Sequence, residues 1–319
     1  MAVRGPTGGS SLNIMIRVEN LTKILGENPR EILKLVKAGK TKEEIKADTD
    51  HVVGISNVSF ELNPGEIFVI MGLSGSGKST LLRCVNRLIE PTDGKVFLDT
   101  DERQYDITAL DDEELRYVRS HYMSMVFQQF ALFPHLSVLE NVKYGLEIQG
   151  VQPEQASKTA QEHLDMVGLG NWANAYPHEL SGGMQQRVGL ARALATGANI
   201  LLMDEPFSAL DPLIKVNMQD ELLKIEEELS KTLLFITHDL DEALRIGDRI
   251  AIMDEGIVVQ IGTPEEIIVN PQTEYVADFV EHADPTGVIT AGTIALRPDN
   301  ELLEIDSSGE ALDINTSEG

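Results

Sequence analysis

IFVIMGLSGSGKSTLL, residues 67–82, decides the fold. Ile67 to Met71 is an unbroken apolar run and reads as a buried strand. Directly after it, Gly72 to Ser79 reads GLSGSGKS and satisfies G-x-x-x-x-G-K-[ST] in full, in the strand-to-helix context that this motif requires. Gly72, Gly75 and Gly77 let the backbone wrap closely around phosphates, so the loop N–H groups, those of Leu73, Ser74 and Ser76 included, face the anion with the dipole of the following helix. Lys78 is expected to reach the β and γ phosphates, Ser79 to ligate Mg²⁺, and Thr80 to add a contact to the α phosphate.

Working outward, the pattern alternates. Upstream, IRVENL reads as a strand, and GENPREILKLVKAGKTKEEIKADTD (residues 26–50) as an inserted helical hairpin, because Pro29 precedes apolar residues at helical spacing. Its lysines read as a solvated face. VGISNVSFEL forms another strand before the Asn63-Pro64-Gly65 turn. Downstream, a helix from Lys78 to about Leu88 gives way to strand KVFLD, helix DDEELRYVRS and strand MSMVFQ, which Gln128 closes. From about 129 to 180 only helical signals follow, so an all-α subdomain is inserted into a sheet domain. The strand NILLMD, helix IKVNMQDELLKIEEEL, strand TLLFIT, helix DEALRIG and hairpin RIAIM-DEG-IVVQIG then resume the alternation. Residues 1–14 read as a disordered or added leader before Met15, and 281–319 as an acidic tail.

Composition narrows the function. The chain has 319 residues with 52 acidic and 26 basic side chains, a net charge of −26, which excludes nucleic acid or acidic lipid as a partner bound by counterion release. No apolar run reaches membrane-spanning length and no export signal is present, so any membrane association runs through a protein partner. The single cysteine, Cys84 in LLRCVNRL, reads as a buried helix residue.

Further groups complete a phosphate chemistry. NILLMDEP ends an apolar strand in Asp204 and Glu205, where a parallel sheet delivers residues to its ligand crevice; Asp204 suits the Mg²⁺ shell and Glu205 the polarisation of an attacking water. Gln128 can ligate Mg²⁺ or order that water, and His238, following TLLFIT, can donate to a γ phosphate. LSGGMQQR, residues 180–187, is half a phosphate site: a glycine pair after a serine at a helix start, with no lysine.

In this order and spacing, Gly72–Ser79, Gln128, LSGGMQQR, ILLMDEP, SALD and His238 resemble an ATP-binding cassette over about Ile16 to Val280. The resemblance implies an α/β fold of the P-loop NTPase ABC class, with a mixed RecA-like core, an antiparallel β subdomain and the inserted helices. It implies that Ser181, Gly182, Gly183 and Gln185 of one chain complete the ATP site of a second in a homodimer, that Asp211 couples the two sites across the seam, and that adenine rests on Leu25, where such cassettes often place an aromatic ring. It further implies catalysis by Glu205, His238 and Gln128 with Mg²⁺ held by Ser79, Gln128 and Asp204.

The insertion at 27–50, with VFQQFALFPH and THDLDEALRIGDRIAIMDEG, is similar to the ATPase subunits of bacterial importers of glycine betaine, proline betaine, choline and related quaternary amines. That implies transmembrane permease subunits contacted near Phe130, Leu132 and Phe133, an extracytoplasmic substrate-binding protein, and a place on the cytoplasmic face of the inner membrane. Alternatives are an importer ATPase for trimethylamine N-oxide or an amino acid, or a soluble non-transport ABC ATPase. Many such subunits carry a tandem CBS module, for which the tail after Glu281 is too short.

Overall fold

Alternation, and its absence, sort the strands into two sheets. The computed structural model describes residues 15–281 and two short backbone segments, 303–305 and 311–313. The expected leader 1–14 and the rest of the acidic tail lie outside the described residues. In chain order the elements begin with β1 (Ile16–Leu25), the insertion helices α1 (Pro29–Lys37) and α2 (Lys42–Thr49), then β2 (Val52–Leu62), β3 (Ile67–Met71) and α3 (Lys78–Val85). They continue with β4 (Asp93–Asp99), β5 (Gln104–Asp106), α4 (Asp112–His121), β6 (Met123–Val126), α5 (Val138–Ile148), α6 (Pro153–Met166), α7 (Gly182–Ala195) and β7 (Ile200–Asp204). Last come α8 (Pro212–Leu229), β8 (Thr232–Thr237), α9 (Leu240–Ile246), the hairpin β9 (Arg249–Asp254) and β10 (Ile257–Gly262), α10 (Pro264–Val269), α11 (Glu274–Val280), and a pair, β11 (Leu303–Ile305) with β12 (Ala311–Asp313), that is antiparallel.

The strands β2-β1-β4-β5 form an antiparallel sheet whose alternating burial marks one solvated face. The order β10-β9-β3-β8-β7-β6 forms the second sheet, parallel except for β10. Its central strands β3, β7 and β8 are buried at every position, because both faces are covered. Period two then divides β3 cleanly: Phe68 and Ile70 join Val18, Phe60, Leu81, Leu82 and Val85 between the sheets, whereas Ile67, Val69 and Met71 join α7, α8 and α9 on the far face.

Helices α5 and α6 bury Val138, Val142, Ala156, Ala160 and Leu164 against Val188, Ala191 and Ala195 of α7. The opposite stripe of α7, with Leu190, Ala193 and Leu194, lies on the parallel sheet. One helix therefore ties the helical block to the sheet, and the helical cluster runs past residue 180.

Three local expectations differ from the observed elements. Gln128 does not close β6, which ends at Val126; it stands in the following turn. Helix α3 ends at Val85, because Arg87 takes a φ of 55° that no helix continues through. Strand β5 and the short helices α10 and α11 are elements that the sequence reading did not include.

Candidate functional site

Strand β3 delivers the phosphate loop to the C-terminal edge of the parallel sheet. Gly77, the residue before α3, holds φ at 99°, and a Cβ there would lie 2.4 Å from the Gly54 carbonyl oxygen. Only glycine meets both demands. The Lys78 ammonium folds back to donate to the carbonyls of Gly72 at 2.8 Å and Leu73 at 3.0 Å. Burial holds its pKa below the usual lysine range, against the opposing pull of the Glu205 and Asp204 carboxylates.

Below the loop, the Ser79 hydroxyl donates to Asp204 Oδ1 at 2.7 Å, and Arg83 Nη2 pairs with Asp204 Oδ2 at 3.0 Å. Asp204 is almost wholly buried at the end of β7, so both oxygens are satisfied by α3. Arg83 was missed by sequence reasoning; its spacing of four from Ser79 puts the two on one face of α3 and could have suggested it.

Glu205 adopts φ 45°, fixed by its N–H donating to the Ile236 carbonyl at 3.1 Å. That left-handed step turns its carboxylate out of the strand. Gln128 Nε2 donates to Glu205 Oε2 at 3.2 Å, and His238 Nδ1 lies 3.1 Å from the same oxygen. Gln128 also reaches the Ser208 hydroxyl at 3.3 Å. Three candidates from separate loops thus meet at one carboxylate oxygen.

A cleft of about 610 Å³ opens in front of this cluster, lined by Ser74, Gly75, Gly77, Lys78, Ser79, Thr80, Gln128 and Glu205 at one end and by Leu25, Val52 and Val53 at the other. Leu25 is 43% exposed there and offers an aliphatic floor. The insertion contributes Lys42, Glu43 and Lys46, which sequence reasoning assigned to a solvated face.

Polar groups in the site fit a nucleotide and a hard cation. Ser74, Lys78 and Ser79 all line the cleft, a hydroxyl, an ammonium and a second hydroxyl suited to phosphate oxygens. Ser79, Asp204 and Gln128 offer oxygen atoms alone, the donor set Mg²⁺ selects. Among the described residues no group of three or more His, Cys, Asp or Glu forms a metal cage. An ion held by only a few protein oxygens together with substrate phosphates needs none.

LSGGMQQR builds a second cleft. Ser181 caps α7, accepting from Met184 N–H at 3.4 Å, and Gly182 and Gly183 form the first turn. Ser181, Gly182, Gly183, Met184, Arg187 and Asp211 line about 580 Å³. Gln185 turns away from it, with Nε2 donating to the Leu180 carbonyl at 3.2 Å. No residue lines both this cleft and the phosphate cleft, so within one chain the serine-glycine turn does not meet the phosphate loop.

Next to this turn, Phe130 and Ala131 take φ values of 59° and 47°, and half-buried Arg192 anchors them by donating to the carbonyls of both residues at 3.1 and 2.8 Å. Leu132 leans on the helical core and Phe133 packs against Tyr144 with ring centres 4.6 Å apart and planes tilted by 55°, so these two are half-buried.

Phosphate loop, acidic strand end and serine-capped helix on this two-sheet frame define a phosphate-loop nucleoside triphosphatase. Residues 55–208 match the family described as ABC transporter. The chain is 56% identical over 293 residues to the glycine betaine transport ATP-binding protein OpuAA of Bacillus subtilis, covering 92% of this chain and 69% of that protein. It is 52% identical to the glycine betaine/proline betaine transport system ATP-binding protein ProV of Escherichia coli, over 91% of this chain and 72% of that one. Among solved structures, the dimeric ATP-binding cassette MJ0796, in a post-hydrolysis state with ADP and Pi, superposes with a TM-score of 0.65 at 36% identity, covering 78% of this chain and 99% of that one. The chain belongs to the ABC transporter family as an ATP-binding, ATP-hydrolysing subunit.

Proposed function

We propose that this chain energises uptake of a quaternary ammonium osmolyte of the glycine betaine and proline betaine class, working as a homodimer beneath the permease subunits of an importer. The observation that carries the chemistry is the Glu205 carboxylate, turned out of β7 and held between Gln128 and His238 at the mouth of the phosphate cleft. The substrate class rests on the glycine betaine subunits that the chain resembles over nine-tenths of its length.

In this reading Lys78 leaves the Gly72 and Leu73 carbonyls for the β and γ phosphates. Ser79, Asp204 and the Gln128 side-chain carbonyl would hold Mg²⁺, which when bound would supply neutralising charge for the phosphates. Glu205 takes a proton from the water that attacks the γ phosphorus, and ADP departs. His238, with Nδ1 on Glu205, keeps Nε2 for a γ oxygen. Arg83 pairs with one Asp204 oxygen and leaves the other aimed at Ser79.

Ser181, Gly182 and Gly183 of a partner chain cap the same γ phosphate, so ATP draws two chains together and hydrolysis releases them. Asp211, lining the signature cleft beside these residues, couples the two sites. The Phe130–Phe133 loop passes that closure to the permease, placing the subunit on the cytoplasmic face of the membrane. An extracytoplasmic binding protein delivers the amine to the opposite face.

Reconstitution with the cognate permease and binding protein tests this. Glycine betaine or proline betaine is expected to stimulate ATP hydrolysis. Stimulation by trimethylamine N-oxide or an amino acid alone would move the substrate class, and stimulation by none of them would overturn it.

A further inference from the structure

The helical insertion is fastened over the nucleotide cleft. Its hydrophobic underside, Ile32, Ile45, Leu33, Leu35 and Val36, packs on Ile24 and Val53 of β1 and β2. Thr41 and Glu44 close a capping box at the start of α2. At the base of the hairpin, His51 bridges the carbonyls of Thr49 and Glu27, and Gly26 passes so close to that ring that a Cβ would lie 2.4 Å from it. A hairpin pinned at its face and at its base holds its outer side chains in fixed places.

Four of its lysines divide into two pairs. Lys37 and Lys40 are each matched by a carboxylate at 2.7 Å, Asp93 and Asp48. Lys42 and Lys46, one helical turn apart on a single face of α2, both line the cleft. Neither ammonium forms a hydrogen bond or ion pair with any described residue. The Lys42 ammonium lies where the backbones of Gly54 and Gly256 meet, 2.8 Å from the Cβ that Gly256 lacks. Gly256 N–H in turn donates to the Ser76 carbonyl of the phosphate loop at 2.9 Å. Burial lowers the Lys42 pKa, against the opposing pull of the carboxylates of Glu255, Glu43 and Asp254.

We propose that Lys42 and Lys46 are nucleotide-binding residues: their ammonium groups hold phosphate oxygens of ATP in the cleft that they share with the phosphate loop, making the insertion a working wall of the site. A lysine ammonium is a compact, donor-only point charge, suited to phosphate rather than to the adenine ring. In a chain of net charge −26, two unmatched cations in a cleft also oppose the general repulsion of an incoming polyanion. Where Leu25 gives adenine no aromatic face, this pair supplies affinity from the charged end of the ligand instead.

The inference rests on the cleft being the ATP site, and the experiment separates the two. Dissociation constants for ADP and a non-hydrolysable ATP analogue are measured over a range of salt for wild type, Lys78→Ala, Lys42→Gln/Lys46→Gln and Lys42→Arg/Lys46→Arg, with melting temperatures of the free proteins as a folding control. The double glutamine variant is expected to bind about 3- to 30-fold more weakly, with a shallower salt dependence, and the arginine variant to recover both. Wild-type affinity in the glutamine variant, or weaker binding with an unchanged salt dependence, would overturn the proposal. Undiminished binding by Lys78→Ala would instead overturn the reading of the cleft itself.

Discussion

Replacing Glu205 with glutamine disturbs the structure least while removing the carboxylate that we propose as the base of hydrolysis. The side chain is 16% exposed, and glutamine fills the same volume, so no cavity opens. Its Cβ is unchanged, so the φ of 45° costs what it did before. The amide oxygen still accepts from Gln128 Nε2 in the geometry now measured at 3.2 Å. Folding stability should therefore move by less than about 1 kcal/mol. What disappears is the proton acceptor: a loss of about 10²–10⁴ in turnover, equivalent to about 2.7–5.4 kcal/mol of barrier. Lys78 and Ser79 remain to bind nucleotide, so ATP affinity should be preserved. Single-turnover phosphate release measures the first quantity, and size-exclusion chromatography with MgATP detects the dimer expected to accumulate. Turnover within about threefold of wild type would remove Glu205 from the base position.

Ser181→Arg places a bulky cation in the serine-glycine cleft, some distance in sequence from Lys78; nucleotide binding should survive while hydrolysis falls, and normal ATPase activity would refute completion of the site by a partner chain. Gly77→Ala must accept a left-handed φ and an overlap with the Gly54 carbonyl, so denaturant titration should report a loss of at least about 1–3 kcal/mol, with nucleotide binding impaired as well. Arg83→Ala leaves the buried Asp204 without its countercharge; metal-dependent activity should fall, and a titration of activity against Mg²⁺ should shift to higher concentration. Cys84 has its pKa pushed up to about 12 by burial, so its thiolate fraction at pH 8 is about 10⁻⁴ and maleimide should label it only after unfolding; native labelling at the unfolded rate would contradict the packing of α3.

The sequence discloses what periodicity and motif chemistry encode. β3 and β7 announce themselves as apolar runs, and both form strands buried at every position. β5 escapes notice because Gln104–Asp106 is three residues long, with only Tyr105 buried. Helices α10 and α11 are six and seven residues long, too short for a clear hydrophobic stripe. The apolar spacing of LLRCVNRL continues beyond Val85, but Arg87 leaves helical φ, which no pattern of side-chain polarity reports. The site shows the same division. Lys78, Ser79 and Asp204 are named by their motifs, whereas Arg83 joins Asp204 only because α3 runs alongside β7. Lys42 and Lys46 look like any solvated pair in the sequence, and reach the cleft only because Ile45, on the other side of α2, is buried against β1 and β2.

The separation of the two clefts has a genetic consequence. If each reaction centre takes its phosphate loop from one chain and its serine-glycine turn from another, the unit of inheritance and the unit of catalysis do not coincide. A chain damaged at Lys78 and a chain damaged at Ser181 would each be inactive alone. Mixed, they assemble pairs holding one intact centre and one doubly damaged centre, so coexpressed defective alleles should restore part of the ATPase activity, whereas two alleles damaged in the same cleft should not.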